Sequence, residues 1–130
     1  MKVLVADDDE VTIKILTYWF TSRSHQLTAV TNGQQAWDLL QNENFDLLVT
    51  DYIMPGMDGL ELCRRIKASH IHIQIVMISV SDFSSDIQEA KRLGVDAYFV
   101  KPITTECLNC TVGKVTEFMT RTEQIRDIAA

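Results

Sequence analysis

Short apolar runs alternate along the chain with segments of helical spacing. The runs are KVLVA (Lys2–Ala6), QLTAV (Gln26–Val30), DLLVT (Asp46–Thr50), QIVMIS (Gln74–Ser79) and AYFVK (Ala97–Lys101). Each is short and several are rich in Val and Ile. Their nearly continuous apolarity, without strict alternation, predicts strands covered on both faces. Between them, Val11, Ile15, Leu16, Trp19 and Phe20 form a helical stripe. So do Ala36, Leu39 and Leu40, then Leu62 and Ile66, then Ile87, Ala90 and Leu93, with Gly94 placed to end the last of these helices. Leu108, Val112, Val115 and Met119 step by four, three and four, the spacing of one helix face. Five strand–helix repeats predict an α/β domain with a five-stranded parallel sheet and right-handed crossovers.

That architecture places a site before any chemistry is considered. In an open doubly wound sheet, ligands sit beyond the carboxyl ends of the strands where the strand order reverses. The common order 2-1-3-4-5 puts that point between strands one and three. Strand one ends at Asp7–Asp8, strand three at Asp51, strand four at Ser79 and strand five at Lys101. Strand two ends at Thr31–Asn32–Gly33, a turn signal.

Composition narrows the function. The 130 residues suit one domain with a single core, and 46% of them are hydrophobic, too many for a disordered chain. A net charge of −6, from 12 basic and 18 acidic residues, disfavours direct nucleic-acid binding. No apolar run is long enough for a membrane span, and MKVLVADDDE lacks the design of a signal peptide. Cys63, Cys107 and Cys110 then read as reduced thiols of a cytoplasmic protein.

Carboxylates converging on one crevice need a cation. Hard oxygen ligands without His or Cys favour Mg²⁺, with Asp8 and Asp51 as direct ligands and Asp7 holding a metal-bound water. An Asp beside Mg²⁺ can attack phosphorus. Lys101 can neutralise phosphoryl oxygens as a point charge, and Ser79 can donate a hydrogen bond to one of them. Taken singly, each residue also has an ordinary role. Asp7 to Asp9 suit a helix N-terminus, and Asp9 is expected to serve there. Asp51 precedes the turn sequence MPGMDG, Ser79 could bond backbone, and Lys101 could be solvated. Their joint placement at neighbouring strand ends favours the site.

The segments VLVADDDEV, LLVTDYIMPGMDGLEL, MISVS and Tyr98-Phe99-Val100-Lys101-Pro102 resemble the receiver domain of two-component response regulators, over residues 1–119. The resemblance implies a flavodoxin-like (βα)5 fold with Asp51 as phosphoacceptor, charged by a sensor histidine kinase or a histidine phosphotransfer protein. It implies that Asp7 and Asp8 bind Mg²⁺ and that the Ile53 backbone carbonyl is a further ligand. Ser79 would be the switch hydroxyl, Tyr98 the switch aromatic, Lys101 the phosphate-binding lysine, and Lys101–Pro102 a cis peptide. A homodimer or an output domain would use the helix 4–strand 5–helix 5 face. The domain would be a switch and not an enzyme.

Two positions depart from the family's usual pattern. Val80 is branched where a smaller residue is usual, and Ile53 is apolar near the path of attacking water, which predicts a long-lived phospho-form. A haloacid-dehalogenase-like phosphatase would want a second Asp where Ile53 stands, and a flavodoxin would want a phosphate loop where Asp7–Glu10 would repel one. Cys107 and Cys110 read as helix residues, His70-Ile71-His72 as loop, and Trp19 and Trp37 as packing. Residues 120–130 look like a helical extension or linker, weakly similar to the lead-in helix before diguanylate cyclase domains; an output domain is expected to be absent or truncated.

Overall fold

The computed structural model describes residues 1–109. Its elements in chain order are β1 (Lys2–Ala6), α1 (Glu10–Thr21), β2 (Gln26–Val30), α2 (Gly33–Asn42), β3 (Leu47–Asp51), α3 (Gly59–Ala68), β4 (Gln74–Ser79), α4 (Ser84–Arg92) and β5 (Ala97–Val100). The five strands pair in the order β2-β1-β3-β4-β5, all parallel. This is the order expected from the sequence. Strand positions agree to within one residue: β3 starts at Leu47, because Asp46 turns outward and its carboxylate accepts the Lys2 backbone N–H at 2.7 Å. Residues 105–109 are helical. Cys110, Val112, Val115, Met119 and the expected 120–130 extension lie outside the described residues.

Alternation along the central strands divides the core in two, since successive side chains leave a strand on opposite faces. Val3, Val5, Leu47, Val49, Val76 and Ile78 pack with Leu16 and Phe20 of α1 and with Leu108. Leu4, Ala6, Leu48, Ile75 and Met77 pack on the other face against α2 and α3. The central strands β1, β3 and β4 are therefore buried on both sides, as their continuous apolarity predicts. The edge strands differ: β2 is largely exposed and β5 is only partly covered. An edge strand has one neighbour and less of each face under a helix, a fact that local composition does not carry.

Helix α1 departs from the expected stripe. Its core face is Thr12, Leu16, Trp19 and Phe20, whereas Val11 and Ile15 look outward with Tyr18. The apolar residues of α1 occupy two faces of the helix, and only one meets the sheet. The Thr31–Asn32–Gly33 turn also has a second role. The Asn32 side chain accepts the Gln35 N–H at 2.9 Å and caps α2. Asp9 caps α1 as expected, accepting from the Val11 N–H. Gly94 follows α4 with φ +87, the left-handed conformation that ends a helix.

Candidate functional site

The parallel register brings the strand ends level. Asp51 pairs with Ile78 and Ser79 with Val100, so the phosphoacceptor candidate, the hydroxyl and the turn carrying Lys101 occupy adjacent rungs. Asp7 follows β1 and is held by its N–H donating to the Val30 carbonyl at 3.1 Å. Its side chain is fully buried, and Oδ1 accepts the Asp9 N–H at 2.8 Å. Asp8 is exposed.

Ligand oxygens of Asp7, Asp8 and Asp51 lie within 4.8 Å of one another. The Lys101 ammonium is 3.1 Å from Asp7 Oδ2, 3.3 Å from Asp51 Oδ2 and 3.8 Å from Asp9 Oδ2. Burial and the neighbouring Asp7 charge push the Asp51 carboxyl up to about 6, against the opposing pull of Lys101. Burial would lower the Lys101 ammonium, but its hydrogen bonds and charge contacts with Asp7 and Asp51 outweigh that and raise it. Among the described residues, one cation therefore serves several acids. Asp7 Oδ2 illustrates the shortfall: it is near Lys101, yet no aligned donor satisfies it, which is costly for a buried charged oxygen. An all-oxygen donor set short of positive charge fits a hard divalent cation such as Mg²⁺.

The remaining candidates frame this cluster. Ser79 is buried, and its Oγ accepts the Ser81 N–H at 3.0 Å while its carbonyl accepts the Lys101 N–H at 2.7 Å. Tyr98 is half-buried and donates its hydroxyl to the Ser81 carbonyl at 3.0 Å. The Lys101–Pro102 peptide is cis. Ile53 and Val80 are exposed, at 62% and 74%. The loop carrying Ile53 is pinned from below, where Gly59 donates its N–H to the Tyr52 carbonyl at 2.9 Å.

Some participants escape a reading of the sequence. Asp9 joins Lys101 as well as capping α1, and Thr12 donates to its second oxygen at 2.8 Å, which lowers the Asp9 carboxyl below its ordinary value. Tyr52, Ser81 and Asp86 form a polar group beside the site. The signals for it were faint: a Tyr directly after Asp51, and an acid in the first turn of α4. Cys107 and Cys63 are free thiols, and Cys63 is sealed in the core, where burial pushes it up to about 12.

Comparison with known proteins adds independent findings. The family model described as response regulator receiver domain matches residues 3–112. The chemotaxis protein CheY of Pseudomonas aeruginosa is 34% identical, over 90% of this chain and 97% of that protein. The heme response regulator HssR of Staphylococcus epidermidis is 35% identical over 76% of this chain. The chain spans only 44% of the length of HssR. Among solved structures, the receiver domain of the Francisella response regulator 1452 superposes with a TM-score of 0.83 at 29% identity, covering 93% of this chain and 98% of that one. Among the described residues, no helix is long and apolar enough to cross a membrane.

Proposed function

Because the chain belongs to the receiver domains of two-component response regulators, we propose that it takes a phosphoryl group onto Asp51 and changes a partner-binding surface in response. Receiver domains are switch proteins and not classical enzymes. The observation that carries the proposal is the buried Asp51 carboxylate facing the Lys101 ammonium at 3.3 Å within a cluster of acids.

The proposed step transfers a phosphoryl group from a phosphohistidine on a sensor histidine kinase or a histidine phosphotransfer protein. An Asp51 carboxylate oxygen forms a bond to phosphorus. The phosphorus–nitrogen bond breaks, and its electron pair leaves with the imidazole, which is protonated by solvent. At neutral pH Asp51 is mainly ionised and so nucleophilic, even with its pKa raised to about 6. Asp8, Asp51 and the Ile53 carbonyl would hold Mg²⁺, with Asp7 bonding its water, and the ion supplies charge neutralisation at the phosphoryl oxygens. Lys101 exchanges its Asp51 contact for a phosphoryl oxygen. Ser79 keeps its Oγ lone pair on the Ser81 N–H and has its hydroxyl hydrogen to donate. Tyr98, tied to the Ser81 carbonyl, then reads the position of this loop.

A few such contacts, roughly 1–3 kcal/mol of differential stabilisation, shift a two-state equilibrium by about 5–150-fold. The responding surface is α4, β5 and the helix that follows, which would receive a second copy or an output domain. The acidic balance supports protein partners over nucleic acid, and the proposed setting is the cytoplasm.

Acetyl phosphate with Mg²⁺ tests the proposal. Intact-protein mass spectrometry should show addition of one phosphoryl group, lost on adding EDTA and absent in Asp51→Asn. Full labelling of Asp51→Asn would remove the assignment. Turnover of small phosphate esters would favour a phosphatase, a reading for which Ile53 leaves no second acid two residues after Asp51.

A further inference from the structure

The first turn of α4 carries a carboxylate engaged away from its own helix. Asp86 is an acid close to a helix N-terminus, and the ordinary role there is to accept backbone amides. Its oxygens are otherwise occupied. Oδ1 accepts the Tyr52 hydroxyl at 3.2 Å, and Oδ2 accepts the Ser81 hydroxyl. The α4 N-terminus has no side-chain cap, since its cap residue is Phe83. The Phe83 N–H is taken instead by Ser81 Oγ, at 3.3 Å. Ser81 thus receives from Phe83, donates to Asp86, and through its own N–H fixes Ser79 Oγ at 3.0 Å.

These bonds close a ring through the site. Tyr52 is the next residue after Asp51, and Asp86 joins its side chain to the Ser81 loop, which in turn holds Ser79. Backbone pairing already links β3 to β4, with the Tyr52 N–H donating to the Ile78 carbonyl at 2.9 Å. The side-chain tie adds a second link beyond the last paired residues of the two strands. With the Ser79 lone pair engaged by Ser81, the hydroxyl hydrogen is the part left for an incoming oxygen. Fixing Ser81 therefore restricts the directions in which Ser79 can donate.

On this basis, and resting on Asp51 as phosphoacceptor, we infer that Asp86 is a positioning residue: through Tyr52 and Ser81 it sets the Ser79 hydroxyl for a phosphoryl oxygen on Asp51. It does not touch the phosphoryl group or the metal. Its loss should weaken the phosphoryl contact made by Ser79 and leave the carboxylates that hold Mg²⁺ as they are.

Beryllofluoride, which binds a carboxylate as a phosphoryl mimic, separates these effects. Its affinity in the presence of Mg²⁺ is read by fluorine NMR, and Mg²⁺ affinity alone by titration calorimetry. The variants are Tyr52→Phe, Asp86→Asn and Ser79→Ala, each removing hydrogen-bonding capacity with little change of shape. The expected result is that Tyr52→Phe and Asp86→Asn each weaken beryllofluoride binding about fivefold to tenfold, the worth of one well-placed hydrogen bond. Mg²⁺ affinity should stay within about twofold, the spread of an unperturbed site. In a Ser79→Ala background Asp86→Asn should cost nothing further, because the group it positions is gone. Wild-type affinity in both single variants overturns the inference, as does equal loss of Mg²⁺ binding or a full additional loss on top of Ser79→Ala. Should Asp86→Asn fail to fold, Tyr52→Phe replaces it, alone and in the Ser79→Ala background, since it deletes a single hydroxyl. A wild-type protein that binds neither beryllofluoride with Mg²⁺ nor a phosphoryl group overturns the phosphoacceptor reading itself, and the Asp86 role with it.

Discussion

At the scale of single residues, the site holds more negative charge than its one lysine balances, and Asp51 bears the cost. Its carboxyl is raised from 3.8 to about 6 by burial first and by Asp7 second. A folded-state pKa above the unfolded value means that the native state binds the proton more tightly. Ionising Asp51 therefore destabilises the fold, fully above pH 6 and not at all below the unfolded value. Asp51→Asn should thus be more stable than wild type in urea unfolding with EDTA at neutral pH, with the advantage fading as pH falls from 6 towards 4. Equal stability at both pH values would show that Lys101 already balances the charge. Ile53 and Val80 carry the other residue-scale expectation. Both are exposed and apolar. A polar side chain at position 53 can orient water towards phosphorus where Ile cannot. Ile53→Asn should shorten the phospho-form's lifetime several-fold, measured by loss of label after removing the donor. An unchanged rate would count against shielding by Ile53.

At the scale of elements, most of what positions the site was legible in the sequence, because strand ends are marked by abrupt changes of polarity. VLVA gives way to Asp7, LLVT to Asp51 and IVMI to Ser79. What was not legible depends on neighbours distant in sequence. Whether Val11 and Ile15 face the sheet depends on which side of α1 meets it, and the exposure of β2 on its place at the sheet edge. The Asp86 tie needs three residues from separate elements to meet. Glycine gives the sharpest case of a local requirement set by tertiary contact. A Cβ on Gly59 would lie 2.0 Å from the Asp51 carbonyl oxygen, a backbone atom that cannot step aside. Gly56 has φ +75 and open space around it. Gly59→Ala should therefore cost about 3 kcal/mol or more by overpacking, and Gly56→Ala only about 1 kcal/mol of backbone strain. Urea unfolding of both variants checks the ranking, and comparable losses would contradict the close approach at Gly59.

At the scale of the whole molecule, a parallel sheet covered on both faces at its centre leaves the carboxyl ends of its strands as the natural place for a ligand. The chain fills that place with acids, a hydroxyl and one lysine, drawn from the ends of four strands. The lysine links them: it touches Asp7 and Asp51 and directly follows β5, whose Tyr98 bonds the Ser81 carbonyl in the loop after Ser79. Under the proposed function, chemistry at Asp51 would reach the face formed by α4 and β5 through this loop. The central claim is that the phosphoryl group resides on Asp51. Borohydride reduces an acyl phosphate to an alcohol, so treatment after labelling with acetyl phosphate and Mg²⁺ converts the modified residue irreversibly. Peptide mapping should then find homoserine at position 51 and intact Asp at positions 7, 8 and 9. Reduction at one of those acids, or a phosphoryl group that survives borohydride on Ser79 or a histidine, would contradict it.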